Sequence, residues 1–233
     1  MTLSFKGTAA SCLGVSGRVS AIDDIFGFVF NPGLELSLGR QLQLARGQAL
    51  NINAILVAHE DFEYQDWEET QYAIQFMRDI YAKVGVGVRK IRWQGIPSSD
   101  AGGYAMIGSA SEAHDLTDDW NGPDGGYLDL FVVRAMGGDS DGVSAVNGPC
   151  SKDDKDEMTG AVVSLNGDRD NSGNTFAHEV GHYLGLKHID DPTNFIGGGP
   201  IGSDSEGASN SNTSITESQG RKMKDHCYVK NTC

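Results

Sequence analysis

The sequence predicts an α/β or α+β layer, and three observations carry that expectation. Four short apolar runs read as strands, one long amphipathic segment separates the first two, and Gly- and Asp-rich loops join the rest. Leu50–Ala58 is near-continuously apolar, as a strand buried on both faces must be. Trp67–Val84 follows as a helix, because Ala73, Ile74, Met77, Ile80, Tyr81 and Val84 recur at helical spacing. Asp66, with Glu69 three residues on, supplies a capping-box start. Val86, Val88 and Ile91–Trp93 make a second strand, Tyr127–Val133 a third and Ala161–Leu165 a fourth. Thr216 and Gln219 repeat the capping pattern and open a last helix that runs to about Cys227.

Residues 1–46 have a different texture. Ile25–Phe30, the turn Asn31-Pro32-Gly33 and alternating Leu34, Leu36 and Leu38 predict a hairpin, and so a β appendage or a propeptide-like segment. Residues 47–233 form the main body, with an upper lobe to about residue 188 and a smaller lower lobe from 189 to 233. Between them Gly197–Ser214 holds one large apolar residue, Ile201, and reads as a long surface loop.

Composition narrows the function. The 233 residues carry 32 acidic against 18 basic side chains, a formal charge of −14, which repels phosphate backbones and anionic lipid. Nucleic-acid partners are therefore not expected. No run approaches the roughly 18 apolar residues of a membrane span. Met1–Ser20 contains no continuous apolar core of a secretory leader. Four cysteines (Cys12, Cys150, Cys227, Cys233) allow three pairings. A short Cys227–Cys233 loop with Cys12–Cys150 is one reading, and free thiols are the other.

The chemistry concentrates in Thr175–His188, TFAHEVGHYLGLKH. His178 and His182, four residues apart, project from one face of a helix and can reach a single ion. Phe176, Val180 and Leu184 form the opposite, apolar face. Glu179 is offset from the ligand direction and suited to accept a proton from water beside the metal. Gly185 ends the helix, since a left-handed turn is easiest for glycine, and His188 then returns as a third nitrogen ligand. Three neutral ligands leave a fourth position for water, the pattern of a catalytic zinc centre.

H-E-x-x-H alone recurs by chance; the glycine and third histidine make the pattern specific. His178-Glu179-Val180-Gly181-His182-Tyr183-Leu184-Gly185-Leu186-Lys187-His188 resembles the metzincin metallopeptidase signature. The resemblance spans roughly residues 49–233. It implies a mixed sheet with two long helices, the active-site helix at 175–184, and a smaller C-terminal lobe with a final helix. It also implies Zn2+ on His178, His182 and His188, with Glu179 as general base of an endopeptidase acting on protein or peptide substrates. An extracellular or exported monomer fits the same family. Substrate would lie extended along an edge strand, placed at Val143–Asn147, with Gly197–Ser214 walling the pocket beyond the scissile bond.

Asp191–Ile196 is similar to the approach to the family's methionine turn, with Ile196 at the methionine position; Met223 is the other candidate. Thr216–Met223 is similar to the closing helix of matrixin- and pappalysin-like members. Ile189, after the third histidine, assigns no subgroup.

Several rival signals stand beside this reading. Asp168–Gly173 has the look of a calcium loop with Glu179 at its twelfth position. But a strand rather than a helix precedes it and Glu179 cannot serve both ions, so it reads as a plain acidic turn. Asp118, Asp124, Asp139 and Asp141 are candidates for structural Ca2+. Glu206 or Glu217 could replace His188 as third ligand, and Cys12 could plug the metal in a latent form. His59 and His114 read as surface or hydrogen-bonding residues; His226 and Tyr228 are candidates for contacting an oxyanion. A non-catalytic zinc module and a zymogen latched by residues 1–46 are the alternative functions.

Overall fold

The computed structural model describes residues 44, 46–122, 125–138, 140–154, 156–197 and 212–231. The hairpin expected at 25–38, Cys12, Cys233, Asp124, Asp139, Glu206 and most of the loop 197–214 lie outside the described residues.

The chain alternates strand and helix. β1 (Ala49–Val57) leads through a short 3-10 turn to α1 (Tyr64–Ala82), then β2 (Gly87–Ile96) and β3 (Met106–Ile107). α2 (Ala110–Asp119), β4 (Tyr127–Val133), β5 (Ala135–Met136), β6 (Gly142–Ser144) and β7 (Gly160–Ser164) follow. α3 (Arg169–Tyr183) and α4 (Glu217–Lys224) complete the described elements. The main sheet has the order β2-β1-β4-β7-β6. Its first four strands run parallel, and β6 lies antiparallel on the β7 edge, so the sheet is mixed as expected. β3 and β5 form a separate parallel pair.

Both faces of the sheet are covered, which explains the unbroken apolar composition of its central strands. Alternate residues Ile52, Ala54, Leu56, Leu128, Leu130 and Val132 face α1 and α3. The intervening Ile55, Val57, Phe131, Val133 and Val162 pack against Ala113 and Leu116 of α2. Each large side chain fully buried in this way contributes roughly 1.5–3 kcal/mol. Among the described residues no helix is long and apolar enough to cross a membrane.

Several expectations need correction. α1 starts three residues before Trp67, because Glu63 is its cap and Asp66 is the reciprocating residue of the capping box. The side chain of Glu69 instead leaves its own helix to accept from Gly167 N and Ser172 Oγ. α2 was not anticipated: its surface is charged, and Ala113, Leu116 and Thr117 are its only buried residues. The active-site helix starts at Arg169 rather than 175, with the Asp168 carboxylate accepting from the amides of Asp170 and Asn171. The acidic turn at 168–173 is thus the start of α3, with Asp168 as its cap and Asp170 accepting from the Tyr72 hydroxyl. Cys227 pairs with Cys150 rather than Cys233, tying the segment after β6 to the end of α4 across 77 residues.

Candidate metal centre

α3 is buried along nearly its whole length against α1, β6 and β7. Gly173 and Gly181 permit this depth: a Cβ on Gly173 would sit 2.6 Å from Phe76 Cβ, and one on Gly181 2.8 Å from Phe195 Cε2. His178, Glu179 and His182 therefore lie in the interior, each no more than 9% exposed. Gly185 adopts φ +97°, where other residues are strained, and a Cβ there would also strike Lys222 Cε at 2.7 Å. Leu186 N then donates back to Gly181 O, and the reversed chain brings His188 to the two helical histidines.

The three Nε2 atoms stand 2.9–3.0 Å from one another. His178 Nδ1 lies 2.9 Å from the carbonyl of Phe195, and His182 Nδ1 lies 2.8 Å from that of Leu186. A carbonyl can only accept, so both Nδ1 atoms carry the proton and both Nε2 atoms present a bare lone pair. No proton can lie between the Nε2 atoms of neutral His178 and His182. Burial, followed by the neighbouring histidines, pushes His178 down to about 3. Burial likewise lowers His182 to about 4. Converging neutral nitrogen donors of this kind suit a borderline divalent ion, reachable from all three at roughly 2.0–2.1 Å. Among the described residues only one other trio of metal-ligating side chains converges: Cys150, His226 and Cys227, whose sulfurs are joined as a disulfide.

Glu179 is held against the edge strand. Ser144 Oγ lies 3.0 Å from its Oε2 and 2.8 Å from its backbone carbonyl. Burial pushes the Glu179 carboxyl up to about 8, with the Ser144 hydrogen bond opposing that rise. A carboxyl placed this way favours the protonated form more than one in water and accepts a proton readily.

The segment after His188 packs against the histidine-bearing helix at Gly181. Ile196 is fully buried and would contact a Cβ on Gly181 at 3.4 Å; Met223, also buried, belongs to α4. Asn194 and Gln219 exchange amide hydrogen bonds at 3.1 and 3.0 Å, locking this segment to α4.

Matches to known proteins add to this geometry. Residues 100–225, over half the chain and inclusive of all three histidines, match the model of the Metallo-peptidase family M12B Reprolysin-like. The chain belongs to that family. Its fold is similar to that of metalloproteinase-II from Bacteroides fragilis, with TM-score 0.51 and 16% identity over 78% of this chain. The alignment takes in 53% of that protein, so the chain spans about half its length. A chaperone-substrate complex aligns more loosely, at TM-score 0.45 and 13% identity over 79% of this chain and 35% of that one. No curated protein matches the sequence.

Other predicted site residues take different places. β6 is the edge strand expected near Val143–Asn147, with pairing limited to Gly142–Ser144. Asn147 and Gly148 instead donate to the carbonyls of His182 and Tyr183 at the end of α3. His226 Nε2 is bonded to Gly148 O, and the rings of His226 and Tyr228 stack beside Tyr183. Among the described residues Asp118 and Asp141 join no converging metal-ligating group, and the Asp141 carboxylate accepts from the amides of Asn166 and Asn171. Sequence reasoning did not find Ser144. Its partner is 35 residues away, and nothing local marks it.

Proposed function

We propose that this reprolysin-like metallopeptidase is a zinc-dependent endopeptidase of the metzincin type. His178, His182 and His188 would hold the ion, and Glu179 would act as general base. The observation that carries the reading is the bare, buried Nε2 pair of His178 and His182, met by the half-buried His188 and flanked by Glu179. A zinc ion supplies Lewis acidity there, polarising the scissile carbonyl and lowering the pKa of water to about 7.

The protein's own groups do the rest. The Glu179 carboxylate takes a proton from the attacking water as the new carbon–oxygen bond forms. It then delivers that proton to the departing amine nitrogen as the carbon–nitrogen bond breaks. The carbonyls of Phe195 and Leu186 keep two imidazoles in the tautomer that presents Nε2. Ile196 packs against the histidine-bearing helix at Gly181, in the place methionine takes in the family resemblance. An extended substrate would align with the free edge of β6, whose inner face touches Glu179.

The test combines zinc content with cleavage of unfolded casein, for wild type and Glu179→Ala. The proposal predicts one zinc per chain in both proteins and chelator-sensitive cleavage in wild type. In Glu179→Ala the rate should fall by a factor on the order of a thousand. Cleavage persisting in Glu179→Ala would remove Glu179 from the mechanism. Zinc bound by both with cleavage by neither would favour a latent form or a non-catalytic metal module.

A further inference from the structure

Gly142 and Ser144 are two residues apart on β6, so both side-chain positions fall on the same face of the strand. That face meets Glu179. Ser144 Oγ bonds both its carboxylate and its backbone carbonyl, at 3.0 and 2.8 Å. A Cβ on Gly142 would lie 2.5 Å from Glu179 Cγ and 3.0 Å from Cδ and Oε1. One position on the strand anchors the carboxylate, and the other is left empty to receive it.

We propose that Ser144 is the positioning residue for Glu179, and that Gly142 leaves the space in which Ser144 holds it. The proposal rests on the reading of Glu179 as general base. A hydroxyl is suited to this task because it can donate. While Glu179 is ionised, the Ser144 proton points to Oε2. When Glu179 takes the proton from water on its other oxygen, Oε1, Oε2 remains an acceptor and keeps the Ser144 hydrogen bond. The buried carboxyl thus keeps a partner before and after proton transfer. The free edge of the same strand is where an extended peptide would pair. The element that would register the substrate therefore also aims the base.

The test compares wild type with Ser144→Ala, Ser144→Thr and Gly142→Ala, and runs Glu179→Gln in parallel. Each is measured for zinc content, urea midpoint, and kcat and KM on fluorogenic casein. Ser144→Ala should lose about tenfold in kcat, the scale of one hydrogen bond to a charged group. Its KM and zinc content should stay within about twofold of wild type. Ser144→Thr, which keeps the hydroxyl, should restore most of kcat. Gly142→Ala should lower kcat by crowding the carboxylate rather than releasing it. Crystal structures of Ser144→Ala should show the Glu179 carboxylate displaced from its wild-type position.

A kcat for Ser144→Ala within twofold of wild type, or a threonine variant as slow as alanine, would overturn the proposal. So would an unmoved Glu179 in the alanine variant. If Glu179→Gln is inactive while Ser144→Ala is unimpaired, only the role of Ser144 falls. If Glu179→Gln still cleaves, the general-base reading falls and takes this proposal with it.

Discussion

The molecule buries two polar clusters that solve the problem of burial in opposite ways. Around Asp129 the cluster closes on itself. Lys152 Nζ lies 2.6 Å from Oδ1, Asn53 Nδ2 donates to the same oxygen at 2.8 Å, and Gly122 N donates to Oδ2 at 2.6 Å. The ion pair is almost fully enclosed, with 4% and 0% of the two side chains exposed. Around His178 the protein fixes the outward nitrogens of His178 and His182 and leaves their inward nitrogens facing each other without a shared proton. One cluster carries its own cation; the other, on the proposed reading, would receive one. A buried polar group needs a partner, and where the chain declines to supply it, the missing partner indicates what the site binds.

One short stretch of chain joins the two. Ser144 reaches Glu179, Gly148 accepts from His226, Cys150 bonds Cys227, and Lys152 pairs with Asp129. The edge strand beside the metal centre is therefore anchored at its far end by the self-closed cluster.

The contrast can be broken by exchanging consequences between the clusters. The largest effect should come from His182→Ala. It removes a ligand nitrogen but leaves no charge stranded, so cleavage should fall about a thousandfold or more while the metal-free fold survives. Zinc titration and urea unfolding of the same sample separate the two effects. Unchanged zinc affinity would contradict the contrast. Lys152→Met should do the reverse. It strands Asp129 in the interior and should cost about 3–5 kcal/mol of stability, with one zinc still bound by the folded fraction. A midpoint equal to wild type would mean that Lys152 contributes nothing to holding the fold.

A smaller effect sharpens the comparison at Asp79 of α1, which has neither solution. Its Oδ2 is buried without a partner, and burial pushes the carboxyl up to about 6, against the hydrogen bond from Gln75. A carboxyl raised on folding binds its proton more tightly in the native state. Its contribution is whole below about pH 4 and is lost as pH rises through about 6. Asp79→Asn should therefore gain about 1 kcal/mol at pH 7, discounted for its partial exposure, and little at pH 4. Chemical denaturation at the two pH values checks this, and equal shifts at both would refute it.

Legibility from sequence followed the range of the interactions. Tyr127–Val133 was read to the residue, because a strand buried on both faces leaves a continuous apolar record. The histidine motif was readable because helix geometry and one glycine turn bring its three nitrogens together within eleven residues. Gly185 at φ +97° and the Thr216–Gln219 capping box also sit where local chemistry put them. What was missed depends on distant partners. Glu69 appeared to be a cap but is drawn across to α3. The Cys150–Cys227 pairing, the Lys152–Asp129 pair and the Ser144–Glu179 contact join residues that no local pattern connects.

The central claim is that one ion completes the three-histidine centre, and anomalous diffraction above and below the zinc edge tests it without reference to activity. Crystals of the zinc-loaded protein should show one strong peak, roughly 2.0–2.1 Å from the Nε2 atoms of His178, His182 and His188. No peak there, or a peak coordinated by other residues while the histidines stay empty, would contradict the account.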